Sequence, residues 1–95
     1  MIDLQFEDDI RRVSRGEAKV MLAKVPYRYF RVLCAAAGRM VKTSDLLVEV
    51  YGPDHNKSLP LARVTIRKIR QKVAPLGIEI VAHRALGFGI REVRK

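Results

Sequence analysis

The sequence has few of the residue types from which metal sites and nucleophilic active sites are built. Its 95 residues include one cysteine, two histidines and no tryptophan. A single cysteine excludes an internal disulfide and indicates a reducing compartment. Because Cys34 lies in the apolar run VLCAAAG, it is predicted to be a buried structural thiol rather than a nucleophile. His55 and His83 have no companion cysteines or histidines, so no catalytic group, metal or cofactor is predicted.

Long apolar runs are also absent. No stretch reaches the length of a membrane span, and the N-terminus has no signal-peptide pattern, so a cytoplasmic protein with no membrane role is expected. Apolar residues nevertheless make up 48% of the chain, enough to predict a folded protein. The length predicts a single domain over residues 1–95.

Acidic residues are scarce relative to basic ones. The chain has 19 Lys and Arg against 10 Asp and Glu, a net charge of +9. Residues 60–95 hold nine of these cations and two Glu, a net of +7, whereas residues 1–59 hold ten cations and eight acidic groups, a net of +2. An excess of this size predicts a polyanionic partner, and nucleic acid is favoured over an anionic membrane because no Trp/Phe insertion face accompanies the basic segment.

The first 23 residues are predicted to form short strands joined by tight turns. Ile10 and Val13 are expected to face inward on the second strand. SRGE (14–17) is predicted to be a hairpin turn whose glycine takes a positive φ, and AKVMLA (18–23) follows as the third strand.

Residues 26–74 are predicted to form a three-helix core. The first helix covers 26–37 and stops at Gly38, and Thr43 or Ser44 is expected to cap the second. The third helix is predicted from 60 to 73. The polar segment between the second and third helices is interpreted as a loop rather than as a small enzymatic site.

The remaining residues, 78–93, are predicted to form a hairpin. IEIVA (78–82) and FGIREV (88–93) are strand-like, and the basic segment HRALG (83–87) joins them as an exposed tip.

The segment RVTIRKIRQK (63–72) concentrates the charge, since five of its ten residues are basic. On a helix it divides into an apolar stripe, an opposite face and two flanks. The stripe is Ala62, Ile66, Ile69 and Val73; the opposite face is Val64, Arg67, Lys68 and Gln71; one flank is Arg63 and Arg70, and the other is Thr65 and Lys72.

This outward face has the chemistry of nucleic-acid recognition. Arginine bonds bidentately to guanine, glutamine bonds to adenine, and small apolar groups contact the thymine methyl. Lysines and flanking arginines neutralise phosphates. No acidic residue lies between Asp54 and Glu79 to pair with these cations, which disfavours an ordinary solvated helix face.

Three helices, of which the third is basic, followed by a hairpin describe a winged helix-turn-helix. The chain resembles the OmpR/PhoB-type DNA-binding domain, the effector domain of many two-component response regulators. The resemblance rests on YFRVLCAAAGRMVKTSDLLVEVYG (29–52), ARVTIRKIRQKV (62–73) and IVAHRALGFGI (80–90), and it covers nearly the whole chain. It implies an α+β fold with a small N-terminal antiparallel sheet, three helices and a C-terminal β-hairpin wing. The implied function is sequence-specific binding of double-stranded DNA in transcription regulation.

The resemblance also implies roles for individual residues. The family's base-reading positions match Arg63, Val64, Arg67 and Lys68, and Arg70 matches a position that commonly contacts the DNA backbone. Arg84 matches the wing arginine that enters the minor groove, and Gly87 with Phe88 matches the Gly-aromatic pair of the wing. The predicted DNA-binding residues are therefore Arg63, Val64, Arg67, Lys68, Arg70, Gln71, Lys72 and Arg84.

The chain departs from the family pattern at several positions. Arg63 stands where relatives often have an acidic residue, so no target sequence is transferred, and Ala85 stands where the wing often has glycine. No phosphorylatable aspartate pocket of a receiver domain is found, which leaves an excised effector domain and a stand-alone protein as open alternatives.

A second function is left open by the resemblance. In this family the loop between the second and third helices can touch RNA polymerase, and residues 53–59 occupy that place here. The chain is therefore interpreted either as a DNA-binding regulator or as an adaptor or inhibitor of the transcription machinery. Relatives often bind direct repeats as tandem dimers, which leaves a homodimer on DNA open.

Overall fold

The computed structural model describes residues 3–93, which contain two antiparallel sheets and three helices. The order of elements is the one predicted, and the α+β fold class is confirmed. None of the helices within this range is long and apolar enough to cross a membrane. The elements are β1 (Gln5–Glu7), β2 (Arg12–Arg15), β3 (Ala18–Met21), α1 (Lys24–Ala35), α2 (Thr43–Tyr51), α3 (Leu59–Val73), a 3-10 turn (Ala74–Leu76), β4 (Ile78–His83) and β5 (Gly87–Glu92).

The N-terminal sheet has the strand order β1-β2-β3 and buries one face against the helices. Val13 pairs with Val20 across the hairpin and is fully buried, as predicted. The prediction for Ile10 is wrong, since it lies in the turn between β1 and β2 and is exposed. The turn continues to Arg11, whose φ of 54° is left-handed, so strand alternation begins only after it. Gly16 has the predicted positive φ, at 61°.

Two predicted helix ends are wrong. α1 ends at Ala35, and Ala37, the last residue of the predicted helix, lies beyond it with a φ of 54° and is exposed. Neither Thr43 nor Ser44 caps α2, because Lys42 stands at the N-cap without a side-chain bond. Lys42 has an extended backbone and follows Val41, which pairs with the wing. The helix therefore starts at Thr43, one residue earlier than it would with Thr43 as its N-cap.

The wing is joined to the segment ahead of α2 by a two-way backbone contact. The Val41 amide donates to the Phe88 carbonyl over 2.7 Å, and the Phe88 amide donates to the Val41 carbonyl over 2.9 Å. Phe88 is buried in the core with the faces of all three helices. Because β5 has β4 on one edge and Val41 on the other, the root of the wing is fixed by the core.

Arg15 ties the N-terminal sheet to the base of the wing. Its terminal nitrogen donates to the Leu76 carbonyl over 3.0 Å, and its guanidinium pairs with Glu92 at the end of β5. The contact with Leu76 joins residues 61 positions apart in sequence, so one arginine of β2 links the N-terminal sheet to the C-terminal hairpin.

Candidate nucleic-acid interface

The apolar stripe of α3 is buried as the sequence predicts. Ala62, Ile66, Ile69 and Val73 are each at most 1% exposed. One predicted flank residue, Thr65, is also buried, and its hydroxyl donates to the Leu61 carbonyl over 2.9 Å. Thr65 therefore belongs to the packing side of the helix.

The predicted DNA-binding residues of α3 all lie on its exposed side. Val64 is 53% exposed and places an apolar side chain among the cations of this face. The exposed set is Arg63, Val64, Arg67, Lys68, Arg70, Gln71 and Lys72.

A cleft of about 390 Å³ separates α3 from the wing, with the start of α2 at one end. Arg63, Arg67 and Arg70 of α3 line one wall, and His83 and Arg84 of the wing line the other. The structure thus brings the predicted arginines of two separate elements to one concave surface, which we call the arginine cleft. The other predicted residues, Val64, Lys68, Gln71 and Lys72, lie outside the arginine cleft on the remaining exposed face of α3.

Carboxylates do not neutralise this surface. The two glutamates of the wing are both engaged elsewhere, Glu79 with Arg91 over 2.6 Å and Glu92 with Arg15. Within residues 3–93, no carboxylate oxygen lies within 4.0 Å of a cationic nitrogen of α3 or of Arg84. Concentrated cations without counter-charges make an electropositive surface suited to a phosphate backbone.

Arg70 has a second contact that sequence reasoning missed. Its Nε donates to the Ile80 carbonyl in β4 over 3.1 Å. The resemblance implied only a DNA-backbone role, and helical projection places Arg70 on a flank without showing which strand lies beside it.

The tip of the wing is shorter than predicted. β4 extends through His83 and β5 begins at Gly87, so residues 84–86 form the turn instead of 83–87. The His83 Nδ1 accepts a hydrogen bond from the Ala85 amide over 3.3 Å, and the Leu86 amide donates to the His83 carbonyl. These bonds shape the turn that exposes Arg84.

Cys34 is placed as a structural thiol. Its side chain packs against the core, and burial raises the pKa of its thiol to about 12, against a smaller opposing effect of Arg31. A thiol with that pKa is protonated at neutral pH and is a poor nucleophile. The part of the chain that the structure describes contains no group of three or more metal-ligating side chains.

The loop between α2 and α3 is organised around Tyr51. The imidazole of His55 lies 6.3 Å from the Tyr51 ring, centroid to centroid, and the ammonium of Lys57 lies 5.4 Å from that ring. The His55 Nδ1 accepts a hydrogen bond from the Lys57 amide over 2.9 Å. Two side chains of the predicted 53–59 loop are therefore gathered on one aromatic ring.

These features define a winged helix-turn-helix, with α3 at the recognition-helix position and the β4–β5 hairpin as the wing. No protein-family model matches the chain. It is 29% identical over 93 residues to the response regulator MprA of Mycobacterium sp. (strain KMS), covering 96% of this chain and 40% of that protein.

Solved structures have the same fold. The C-terminal domain of the nisin resistance regulator NsrR matches with a TM-score of 0.78 and 18% identity, covering 92% of this chain and 89% of that one. The Klebsiella pneumoniae RstA DNA-binding domain, in complex with the RstA box, matches with a TM-score of 0.70 and 23% identity, covering 90% and 88%.

The comparisons confirm the resemblance drawn from the sequence. The chain is homologous to the response regulator MprA, and its fold is that of the DNA-binding domains of OmpR/PhoB-type regulators. It spans about 40% of the length of the curated relatives that it matches.

Proposed function

We propose that the chain is a sequence-specific, double-stranded DNA-binding transcription regulator. In this proposal α3 enters the major groove and the wing reaches the adjacent minor groove. The observation that carries it is the arginine cleft, where four arginines from α3 and the wing face one another with no carboxylate of residues 3–93 among its lining residues. The RstA domain, which has the same fold, was solved in complex with the RstA box.

The physical argument is one of charge and shape together. The five cations of α3 repel one another, and a polyanion that lies against both the arginine cleft and the exposed face of α3 offsets that repulsion. The exposed Val64, Lys68 and Gln71 offer an apolar group, a cation and an amide, a mixture that discriminates between base edges. The wing arginine Arg84 stands at the far side of the same cleft, where it can follow the duplex into the minor groove.

The first test is selection of bound fragments from random double-stranded DNA at two salt concentrations. We expect an enriched motif at both, with affinity that falls as salt rises. Recovery of fragments without a shared motif would contradict sequence-specific binding.

The second test removes single cations. Arg67→Ala and Lys68→Ala are each expected to weaken binding to the selected motif by roughly 1–3 kcal/mol, because a base or phosphate contact is lost. Arg12→Ala is the matched control, since Arg12 pairs with Glu7 in the N-terminal sheet and should leave affinity nearly unchanged. Unchanged affinity in both α3 variants, measured by fluorescence anisotropy, would remove the recognition-helix assignment.

A second candidate is an adaptor role through the 53–59 loop toward RNA polymerase. It is supported by the gathering of His55 and Lys57 on Tyr51, which gives this loop a defined surface. The double variant His55→Ala/Lys57→Ala should then abolish regulation in a reporter assay and keep DNA affinity. Loss of both properties together would contradict a separate adaptor surface.

A homodimer on DNA is part of the proposed DNA-binding function and would appear as two spaced half-sites in the selected motif.

A further inference from the structure

Arg70 differs from the other cations of α3 in having a protein partner. Among the residues that the structure describes, it is the only one of these cations whose side chain donates a hydrogen bond to the protein, and the acceptor is the Ile80 carbonyl in β4. Arg70 is part-buried at this contact, and it lines the arginine cleft together with the arginines at 63 and 67.

The acceptor lies on the open edge of the wing. Phe88 uses its amide and carbonyl to bond with Val41. Phe88 also stands opposite Ala82 in the hairpin, and because its backbone groups point to Val41, the Ala82–Phe88 pair is a non-hydrogen-bonded pair of the β4–β5 ladder. Bonded and non-bonded pairs alternate along an antiparallel ladder, so the Ile80–Ile90 pair, two positions from Ala82–Phe88, is also non-bonded. The Ile80 carbonyl therefore points away from β5. A carbonyl on a free strand edge has no ladder partner, and Arg70 supplies one.

Arg70 also lines two concave surfaces beside β4. One is the arginine cleft, and the other is a mainly apolar groove of about 710 Å³, which β4 lines together with Ala74 and Gly77. The side chain thus bridges the helix and the strand at the point where the two surfaces meet.

Arginine is suited to two contacts at once. The Nε of Arg70 donates to the Ile80 carbonyl, and its two terminal nitrogens remain available as donors. Because all three nitrogens belong to one planar guanidinium, the bond to Ile80 also fixes the direction of the other two. Lysine has the same charge, but its three N–H donors share one nitrogen at the end of a flexible chain, so it does not hold a strand carbonyl and a phosphate in the fixed, separated geometry of a guanidinium.

We infer that Arg70 is a positioning residue that fixes the wing relative to α3, so that the contribution of Arg84 to DNA binding depends on Arg70. The inference rests on the proposed DNA-binding function. It assigns Arg70 more than the backbone contact implied by the family resemblance, because changing Arg70 removes a bond that joins β4 of the wing directly to α3.

The test is a double-mutant cycle between Arg70→Lys and Arg84→Ala, read as affinity for the selected DNA motif. The lysine keeps the charge, so the electrostatic coupling between the two positions is retained and only the geometry changes. We expect the loss caused by Arg84→Ala to be smaller by about threefold or more in the Arg70→Lys background. Arg67→Lys is the matched control, since Arg67 lines the same cleft without a bond to the wing, and there the full effect of Arg84→Ala should remain.

A readout without DNA separates this inference from the proposed function. Arg70→Lys should speed hydrogen exchange of the β4 and β5 amides relative to wild type, and Arg67→Lys should not. Additive affinities in both cycles, or equal wing exchange in the two lysine variants, would overturn the positioning role. Failure of the wild-type protein to bind any DNA would overturn the proposed function and the dependence on Arg84, while faster exchange in Arg70→Lys alone would still establish the tether.

Discussion

The two hairpins of the molecule both carry arginines but use them differently. In the N-terminal hairpin, Arg12 makes two bonds of 2.8 Å to the Glu7 carboxylate, and Arg15 binds Leu76 and Glu92. In the wing, Arg91 pairs with Glu79, but the tip residue Arg84 has no carboxylate within 4.0 Å among the described residues. The number of arginines does not show which of them stabilise the fold and which are available to a phosphate. The carboxylate or carbonyl partner of each arginine shows it.

The glycines of the two hairpins differ in the same way. Gly16 has a φ of 61° and open space around its α-carbon, so its turn needs only the left-handed conformation. Gly87 has a φ of 98°, and a Cβ there would lie 1.9 Å from the Val41 carbonyl oxygen. The N-terminal turn is open to solvent, whereas β5 of the wing starts at a close backbone-to-backbone contact with Val41.

The largest effect is expected from Gly87→Ala. The methyl group must displace the backbone of Val41, and the left-handed conformation adds strain, so the free energy of unfolding should fall by roughly 3 kcal/mol or more. Urea unfolding followed by circular dichroism measures it.

Gly16→Ala is the control for Gly87→Ala. It has the same left-handed requirement without the clash, and its cost should stay near 1–2 kcal/mol. Equal losses in the two variants would show that the close approach of the wing to Val41 contributes nothing.

A smaller effect, on binding alone, is expected from Arg84→Ala. The variant loses the wing cation and should bind the selected motif about 1 kcal/mol more weakly, with a reduced preference for A·T-rich flanks, because arginine favours a narrow minor groove. Arg91→Ala is the matched control in the same hairpin, since its guanidinium already pairs with Glu79. Equal losses on every flanking sequence, in competition binding, would indicate a phosphate contact only.

The buried stripe of α3 was predictable because helical periodicity determines it. Ala62, Ile66, Ile69 and Val73 recur every three or four residues and are all buried, and the cations between them are all exposed. The arginine cleft was predictable only in part. Arg84 was assigned through family resemblance, but nothing in the local pattern places it across a cleft from Arg63 and Arg67.

The errors have two sources: tertiary contacts that the sequence pattern does not show, and a hydrogen bond within α3 that satisfies a polar side chain. Thr43 is a good capping residue, yet α2 starts with Lys42 at its N-cap because the preceding Val41 is committed to the wing. Thr65 has a polar side chain and was placed on a flank, but its hydroxyl is satisfied by the Leu61 carbonyl, which lets it be buried. The tether between Arg70 and Ile80 depends on the packing of β4 beside α3, which no periodicity encodes.

The last comparison is between Arg15→Ala and Arg12→Ala, where the effects on stability are small, and it tests whether pairing or position makes an arginine structural. Arg15 bonds to the Leu76 carbonyl across the fold, so its loss leaves that acceptor and Glu92 without this partner and should cost about 1 kcal/mol of unfolding free energy. Arg12→Ala removes a pair within one sheet whose side chains are 32% and 42% exposed, and it should cost only about 0–0.5 kcal/mol. Thermal and urea unfolding of both variants measure the difference. If Arg12→Ala is as costly as Arg15→Ala, exposed pairing alone explains both residues. If Arg15→Ala is the more costly, the long-range bond to Leu76 is what makes the N-terminal hairpin part of the platform that supports the wing.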